Sequence, residues 1–129
     1  MIENLSQEQL AGILETIPIE ISFVNEDDLV KFWNKHETRI FKRPVAVIGK
    51  SVKNCHPKQS LDKVNQILSD LKAGKRDSAE FWIDLKGRKI YIRYFAVRNK
   101  AGKYLGTLEA TQDITEIKKI EGEKRLLDY

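Results

Sequence analysis

Residues 104–127 read YLGTLEATQDITEIKKIEGEKRLL, and this segment passes from a stretch rich in β-forming residues into a charged tail. The stretch from Tyr104 to Gln112 has the content of a β-strand. Asp113 and Thr115 come directly after it, and the side chains of both can cap the N-terminus of a helix. The segment therefore predicts a strand that joins a helix at Asp113, and we expect Asp113 and Thr115 to form a signal junction.

The tail beyond Asp113 carries apolar residues at the spacing of a stripe that faces a partner helix. The stripe consists of Ile114, Ile117, Ile120 and Leu127. Gly122 disfavours this helix by about 1 kcal/mol relative to Ala, so we expect the tail to need a partner. A strand that leads straight into an exposed helix can transmit force, which is typical of a sensor that reports to another domain.

The composition indicates one globular domain in a reducing compartment. Of the 129 residues, 41% are hydrophobic and 33% are charged, as in soluble proteins. No apolar run is long enough to cross a membrane, no signal peptide follows Met1, and the single Cys rules out an internal disulfide. We therefore expect a cytoplasmic protein without a membrane partner.

Charge and motifs argue against nucleic-acid binding and catalysis. The net charge is +4, but basic and acidic residues are interspersed, and the runs Lys42-Arg43 and Lys72 to Arg76 are short. We interpret both runs as solvated surface charge. The sequence has no Gly-rich phosphate loop, metal-ligand cluster or nucleophile–base pair, so no catalytic residue or metal site is predicted.

Local signals give the order of the remaining elements. Ser6 and Gln9 form a capping box for a helix that Pro18 ends. Asn34 is a good N-cap for a short helix over 35–41, and Ser60 for a longer helix that ends near Gly74. The predicted strands are 19–24, 29–33, 77–85, 88–98 and 103–112.

This order of elements, together with several short motifs, resembles a PAS domain. The most specific match runs from Gly106 through Asp113-Ile114-Thr115-Glu116, which is similar to the last strand and the Asp-Ile-Thr junction of the family. Other matches, in order, are Phe32-Trp33-Asn34, Gly49-Lys50-Ser51-Val52, Glu80-Phe81-Trp82 and Arg98 to Gly102. More narrowly, Cys55-His56-Pro57 and Tyr91 to Arg98 resemble the PAS module at the end of prokaryotic proteins with a hemerythrin-like domain.

The resemblance implies an α+β fold: a five-stranded antiparallel sheet with short helices on one face and flanking N- and C-terminal helices. It divides the chain into an N-terminal flanking helix (1–17), a PAS core (18–115) and a C-terminal signalling helix (116–129). It also implies that the chain is an excised or a free-standing sensory module, and the partners it implies include other domains of a longer protein.

Hairpin registers indicate which side chains would face a ligand. The turn at 86–87 would pair Leu85 with Arg88, and the second turn would pair Arg98 with Lys103. The predicted ligand pocket then contains Phe81, Ile83, Ile92, Tyr94, Leu105, Thr107 and Glu109. Glu109 would be a polar anchor for the ligand. Alternatively, it is solvated at the rim of the sheet, or paired with Arg93 after a register slip.

His56 is the candidate ligand for a haem iron, because it would lie near the pocket mouth and some PAS sensors hold haem through a single His. Alternatively, it is an ordinary loop or cap histidine. Asn54, Cys55 and Gln59 match the cysteine run of the flavin-binding LOV subgroup, but His56 and Pro57 depart from it. No flavin is therefore expected, and the sequence leaves the cofactor unknown.

Two functions remain open from the sequence. In the first, the chain is a sensory PAS domain that binds a small ligand or cofactor and signals through the Asp-Ile-Thr junction and the terminal helices. In the second, it is a ligand-free dimerisation module. Its interface would combine the stripe Leu10, Ile13, Leu14 and Ile17 with an outer sheet face that carries Trp82, Tyr91 and Phe95. Both readings include a homodimer.

Overall fold

A computed structural model of the chain describes the backbone of residues 1–52 and 58–129 and the side chains of 1–52 and 61–129. Its α-helices are α1 (Gln7–Thr16) and α2 (Lys58–Ala73), and its strands are β1 (Glu20–Asn25), β2 (Val30–Trp33), β3 (Ser78–Leu85), β4 (Arg88–Arg98) and β5 (Tyr104–Asp113). The strands form one antiparallel sheet in the order β2-β1-β5-β4-β3, which places β5 at its centre. The predicted α+β fold with a five-stranded antiparallel sheet is confirmed.

Helix α1 begins where the capping box predicts. The Ser6 hydroxyl accepts a hydrogen bond from the Gln9 amide N–H, and the Gln9 side chain accepts one from the Ser6 N–H, both at 3.0 Å. No residue of α1 is buried, although Leu10 and Leu14 are half-buried. None of the α-helices in the described part of the chain is long and apolar enough to cross a membrane.

The two hairpins of the sheet differ in how well local signals predict them. Lys86 and Gly87 both have positive φ, as a two-residue type I′ turn requires, and Leu85 pairs with Arg88 as expected. In the second hairpin, Arg98 pairs with Tyr104 and not with Lys103, because the Asn99 N–H bonds the Lys103 carbonyl and widens the turn. A bulge beside Arg98 shifts the register further, so that it differs from the predicted one by two residues in total. Because a shift of two residues keeps each side chain on its face, the side chains that were predicted to share a face still do so.

The core lies between one face of the sheet and a cover formed by residues 34–52 and α2. One apolar cluster contains Val24, Val30, Trp33, Val52, Val64 and Leu68, and a second contains Leu71, Ile90, Ile92 and Tyr94. Helix α2 contributes to both clusters, so it fixes the cover over β1, β5 and β4. Strand β3 lies at the sheet edge, and its side chains stay mostly exposed.

The predicted helix over 35–41 is wrong. Lys35 has a φ of +55°, which breaks a right-handed helix at its first residue, and the segment forms a turn in which the Thr38 N–H bonds the Lys35 carbonyl. The Asn34 side chain, which was expected to cap that helix, is committed to the backbone of other elements instead. A 3-10 turn at Val45–Val47 follows later in this segment.

The predicted C-terminal signalling helix over 116–129 is also not formed. The tail has one 3-10 turn, Ile117–Lys119, and no α-helix. Gly122 adopts a φ of +63°, and Ile120 is 74% exposed, because none of the described residues covers the apolar stripe. Isolated helices of this length are marginal in water, so the stripe alone does not hold one.

Gly106 marks the closest approach of β5 to β1. Its φ is +154°, and a Cβ atom at this position would lie 2.2 Å from the Val24 carbonyl oxygen and 2.5 Å from the Phe23 ring. The neighbouring atom is backbone, so it cannot move aside as a flexible side chain would. Glycine is therefore required for β5 to pair with β1 at this point.

We predict that Gly106→Ala lowers the free energy of unfolding by about 2–3 kcal/mol, because overpacking forces the backbone apart. The measurement is the urea midpoint in equilibrium unfolding. Gly12→Ala is the control: Gly12 lies inside α1 with nothing within 4 Å of its would-be Cβ, so that change should be neutral or stabilising. Equal midpoints for the two variants would contradict the prediction.

Candidate functional site

The covered face of the sheet carries an unusual number of polar side chains. The buried polar and charged residues are Glu20, Ser22, Asn34, Arg39, Thr107 and Thr111. Buried polar groups need hydrogen-bond partners, so the way these groups are paired determines what the interior can recognise.

Asn34 holds three elements together at one end of this face. Its side chain is fully buried; Oδ1 accepts from the Ile21 N–H at 2.8 Å, and Nδ2 donates to the carbonyls of Leu14 (2.7 Å) and Ile19 (3.0 Å). Asn34 thus ties the end of α1 to the start of β1 and the end of β2. Its hydrogen bonds are structural and leave no side-chain donor for a ligand.

Glu20 and Arg39 form a buried ion pair between β1 and the cover. Arg39 Nη2 lies 3.0 Å from Glu20 Oε1, and the two side chains are 1% and 5% exposed. Nη2 also donates to the Ser22 hydroxyl, and Nε and Nη1 donate to carbonyls of the cover and β1. Burial lowers the pKa of Arg39, and the charge of Glu20 opposes that effect. This pair is therefore fully used within the fold.

Arg43 and Glu109 form a second, partly buried ion pair, and this one is incomplete. Arg43 Nη2 lies 3.1 Å from Glu109 Oε2, and the side chains are 8% and 12% exposed. Arg43 Nη1 is also buried, but it has no hydrogen-bond partner among the described residues. The pair joins the cover to the central strand and leaves one guanidinium nitrogen available.

Tyr94 lies directly opposite Glu109 on the neighbouring strand. Its ring stacks on Phe81 with 6.0 Å between ring centroids, and its side chain is almost fully buried. Burial, and next the charge of Glu109, raise the pKa of Tyr94 well above its usual value. The phenol therefore stays protonated at neutral pH and is an O–H donor beside the Arg43–Glu109 pair.

The junction at the end of β5 is a compact hydrogen-bond network. Asp113 Oδ2 accepts from Arg88 Nε at 2.7 Å, and Oδ1 accepts from the Thr115 N–H (3.0 Å) and hydroxyl (2.6 Å). The Thr115 hydroxyl oxygen accepts in turn from the Lys89 N–H at 2.8 Å. The Arg88 guanidinium, and next the Thr115 donors, lower the pKa of Asp113 to about 2. The network fastens the end of β5 to the start of β4.

A family model described as a PAS domain matches residues 10–115. This chain belongs to the PAS domain family. The C-terminal domain of a Streptococcus mutans protein is 38% identical to it, with a TM-score of 0.85 and 91% of each chain covered. No curated protein matches the chain.

More distant structures share the PAS fold. The PAS domain of BvgS from Bordetella pertussis is 19% identical, with a TM-score of 0.62, and the match covers 84% of this chain and 85% of that one. A sensory box sensor histidine kinase from Vibrio cholerae is 15% identical, with a TM-score of 0.59, and the match covers 82% and 90%. At these identities the likeness concerns the fold alone. The narrower resemblance to hemerythrin-domain proteins stays a prediction.

The seven residues of the predicted ligand pocket do not all reach the interior of this PAS domain. Ile92, Tyr94, Thr107 and Glu109 lie on the covered face, and the first three are buried. Phe81 and Ile83 are each 37% exposed, because β3 extends beyond the cover, and Leu105 is 36% exposed at the bulge. The structure thus brings together the part of the set that lies on β4 and β5.

Glu109 is neither solvated at the rim nor paired with Arg93. Arg93 lies on the opposite face, where its guanidinium stacks on Tyr91 at 4.8 Å and on Phe95 at 5.5 Å from the ring centroids. The partner of Glu109 is Arg43, so both alternatives based on a rim position or a register slip are wrong. That Glu109 anchors a ligand stays a prediction.

His56 and Cys55 lie outside the described residues, so the prediction of a haem ligand at His56 is neither supported nor opposed. His36 is exposed and its ring lies 5.1 Å from that of Trp33, as expected for a surface residue. No group of three or more residues that could hold a metal ion occurs among the described residues.

Sequence reasoning missed the charged residues that organise this site. The interpretation of Lys42-Arg43 as solvated charge is wrong for Arg43, although Lys42 is exposed. Glu20 was not singled out. A signal was present, because Glu20 and Ser22 share with Val24 the strand face that the structure covers, and a carboxylate there needs a buried cation.

We predict that Glu20→Gln lowers the free energy of unfolding by about 3–5 kcal/mol, because it leaves the Arg39 charge buried without a counter-ion. Equilibrium unfolding in urea measures this. The control is Glu123→Gln, which removes an exposed partner of Arg125 and should change stability by less than about 0.5 kcal/mol. A loss below about 1 kcal/mol for Glu20→Gln would show that the pair is dispensable.

The lowered pKa of Asp113 predicts a specific acid sensitivity. Because the folded-state pKa of about 2 lies below the usual 3.8, the unfolded chain binds the proton first, and the stability that Asp113 contributes is lost as pH falls between these values. We expect Asp113→Asn to be less sensitive than the wild type when the urea midpoint is followed from about pH 4.5 to about pH 2.5. Parallel profiles for the two proteins would refute this.

Proposed function

We propose that this PAS domain is a sensory module. It binds a small molecule between the covered face of its sheet and residues 34–52, and it transmits the event through the Asp113-Ile114-Thr115 junction. The observation that carries the proposal is that one central strand, β5, holds both Glu109 of the polar pair and Asp113 of the junction. A ligand that moves this strand acts on both.

The route from the pocket to the tail is short. Glu109 and Asp113 are four residues apart on the same strand and point to the same face, so a tilt of β5 changes the positions of both side chains. Asp113 is fastened to β4 through Arg88, and a shift of β5 would strain that contact. Ligand binding can move such an equilibrium only by its differential affinity for the two states, typically about 1–3 kcal/mol.

The tail is the output side of this proposal. Its apolar stripe is uncovered in the isolated chain, with Ile117 49% and Leu127 78% exposed. In a longer protein or a homodimer, a partner helix would cover the stripe and supply the burial that the helix lacks here. The junction would then set whether that helix forms and where it points.

A second candidate is a ligand-free dimerisation module, and the outer surface favours it. Trp82 is 60% exposed on the outer sheet face, next to the Tyr91 ring. A surface groove of about 560 Å³ runs along α1 and is lined mainly by apolar residues, among them Leu5, Ile13 and Ile17. A second copy of the chain could cover either surface, and this reading needs no ligand.

The direct test is the content of freshly purified protein. Sensory function predicts a small molecule that is released on denaturation and detected by mass spectrometry, and an absorbance scan of the same sample shows whether it is haem. An Asp113→Ala variant should retain the molecule and the folded core but lose signalling in the full-length protein, because the substitution removes only the hydrogen bonds of the junction. A stable apo dimer that takes up no small molecule would favour the second candidate.

A further inference from the structure

We propose that Arg43 and Glu109 together select a neutral ligand, one that presents a hydrogen-bond acceptor to Arg43 Nη1 and a neighbouring donor to the Glu109 carboxylate. A primary amide is the simplest group with this pattern. The inference rests on the proposed function, because it names the ligand class for the same pocket.

The donor side of the site is the unpaired nitrogen of Arg43. Arg39, a few residues earlier, donates from all three of its nitrogens to the fold. Arg43 donates only from Nη2, and its Nη1 is buried without a partner among the described residues. A buried N–H that lacks an acceptor costs free energy, which a ligand oxygen would recover.

The acceptor side is the second oxygen of Glu109. Oε2 is taken by Arg43, whereas the hydrogen bond to Oε1 comes from the Thr111 hydroxyl at 3.5 Å, a long distance for an O–H donor. A carboxylate oxygen accepts more than one hydrogen bond. Oε1 therefore has room for a donor on a ligand that already contacts Arg43.

Charge balance decides that the ligand is neutral. The two arginines of the cover, Arg39 and Arg43, are each matched by one carboxylate of the sheet. An anionic ligand at Arg43 would bring a second negative charge close to Glu109, and a cation would face the two guanidinium groups. Either charge would be buried without its own counter-ion, which is unfavourable in a poorly solvated site.

The side chains around the ion pair suit a ligand whose part beyond the amide is apolar. Tyr94 stands beside Glu109, and Ile92 lies next on the same strand face, both in the buried cluster that also includes the partly buried Phe41 of the cover. A ring or short aliphatic group attached to the amide would pack against these side chains. The ligand class that matches these contacts is a small amide or lactam whose polar edge meets the ion pair.

The test compares three probes that share a phenyl ring by NMR titration of the full chain: benzamide, which offers acceptor and donor; N,N-dimethylbenzamide, which offers the acceptor alone; and benzoate, which is an anion. We expect benzamide to bind at least about tenfold more tightly than benzoate, with the dimethyl compound between them. Shifts should centre on Arg43, Tyr94 and Glu109. Benzoate binding as tightly as benzamide, or benzamide shifts confined to other residues, would overturn the inference.

Two variants make the assignment specific. Arg43→Lys keeps the positive charge beside Glu109 but loses the planar fork, so benzamide should bind at least about tenfold more weakly. Glu109→Gln leaves Arg43 unbalanced, so benzoate should become the preferred probe. Amide spectra and thermal unfolding confirm that each variant is folded. Unchanged benzamide affinity in Arg43→Lys, or benzamide still preferred in Glu109→Gln, would refute the assignment.

The two proposals can fail separately. If the purified protein carries an anionic small molecule in this pocket, the sensory function stands and the neutral-ligand inference is wrong. If neither a co-purified molecule nor any of the three probes occupies the pocket, both proposals are wrong.

Discussion

The burial of charge between the sheet and residues 34–52 is the constraint on which the architecture depends. Backbone hydrogen bonds at Gly49, Lys50 and Val52 hold the end of this segment against β2 and the turn before it, but a different interaction must hold its earlier part in place. Arg39 does so by pairing with Glu20 and donating to backbone carbonyls around it. Because the cover is fixed in this way, Arg43 is positioned over the central strand, and the chemistry of the interior follows from that placement.

Strand β5 combines three requirements in ten residues. Gly106 lets it approach β1, Glu109 meets the cover, and Asp113 joins the strand to β4 and the tail. A central strand is paired on both sides, so it cannot move without changing hydrogen bonds to β1 and β4. This pairing favours small shifts of the whole strand over local flexibility within it. A shift of the whole strand is what would link the pocket to the junction.

Elements that depend on contacts between neighbours in sequence could be predicted, whereas those that depend on contacts between distant residues could not. The α1 capping box and the Lys86-Gly87 hairpin depend on neighbours in sequence, and both were predicted. The 35–41 segment was mispredicted because Asn34 is engaged by α1 and β1. The tail helix was mispredicted because none of the described residues covers its apolar stripe. Arg43 was taken for a surface residue because its counter-ion, Glu109, lies 66 positions away, and no local pattern reports such a pairing.

The central claim is that the Arg43–Glu109 pair and the Asp113 junction are coupled through β5. Amide hydrogen exchange at Ile114 and Thr115 in an Arg43→Met variant tests it most directly, because both amides are hydrogen-bonded in the junction and neither contacts Arg43. The account predicts that exchange at both amides changes by about fivefold or more, while amides on β3 are unaffected. Exchange at Ile114 and Thr115 identical to that of the wild type would contradict it.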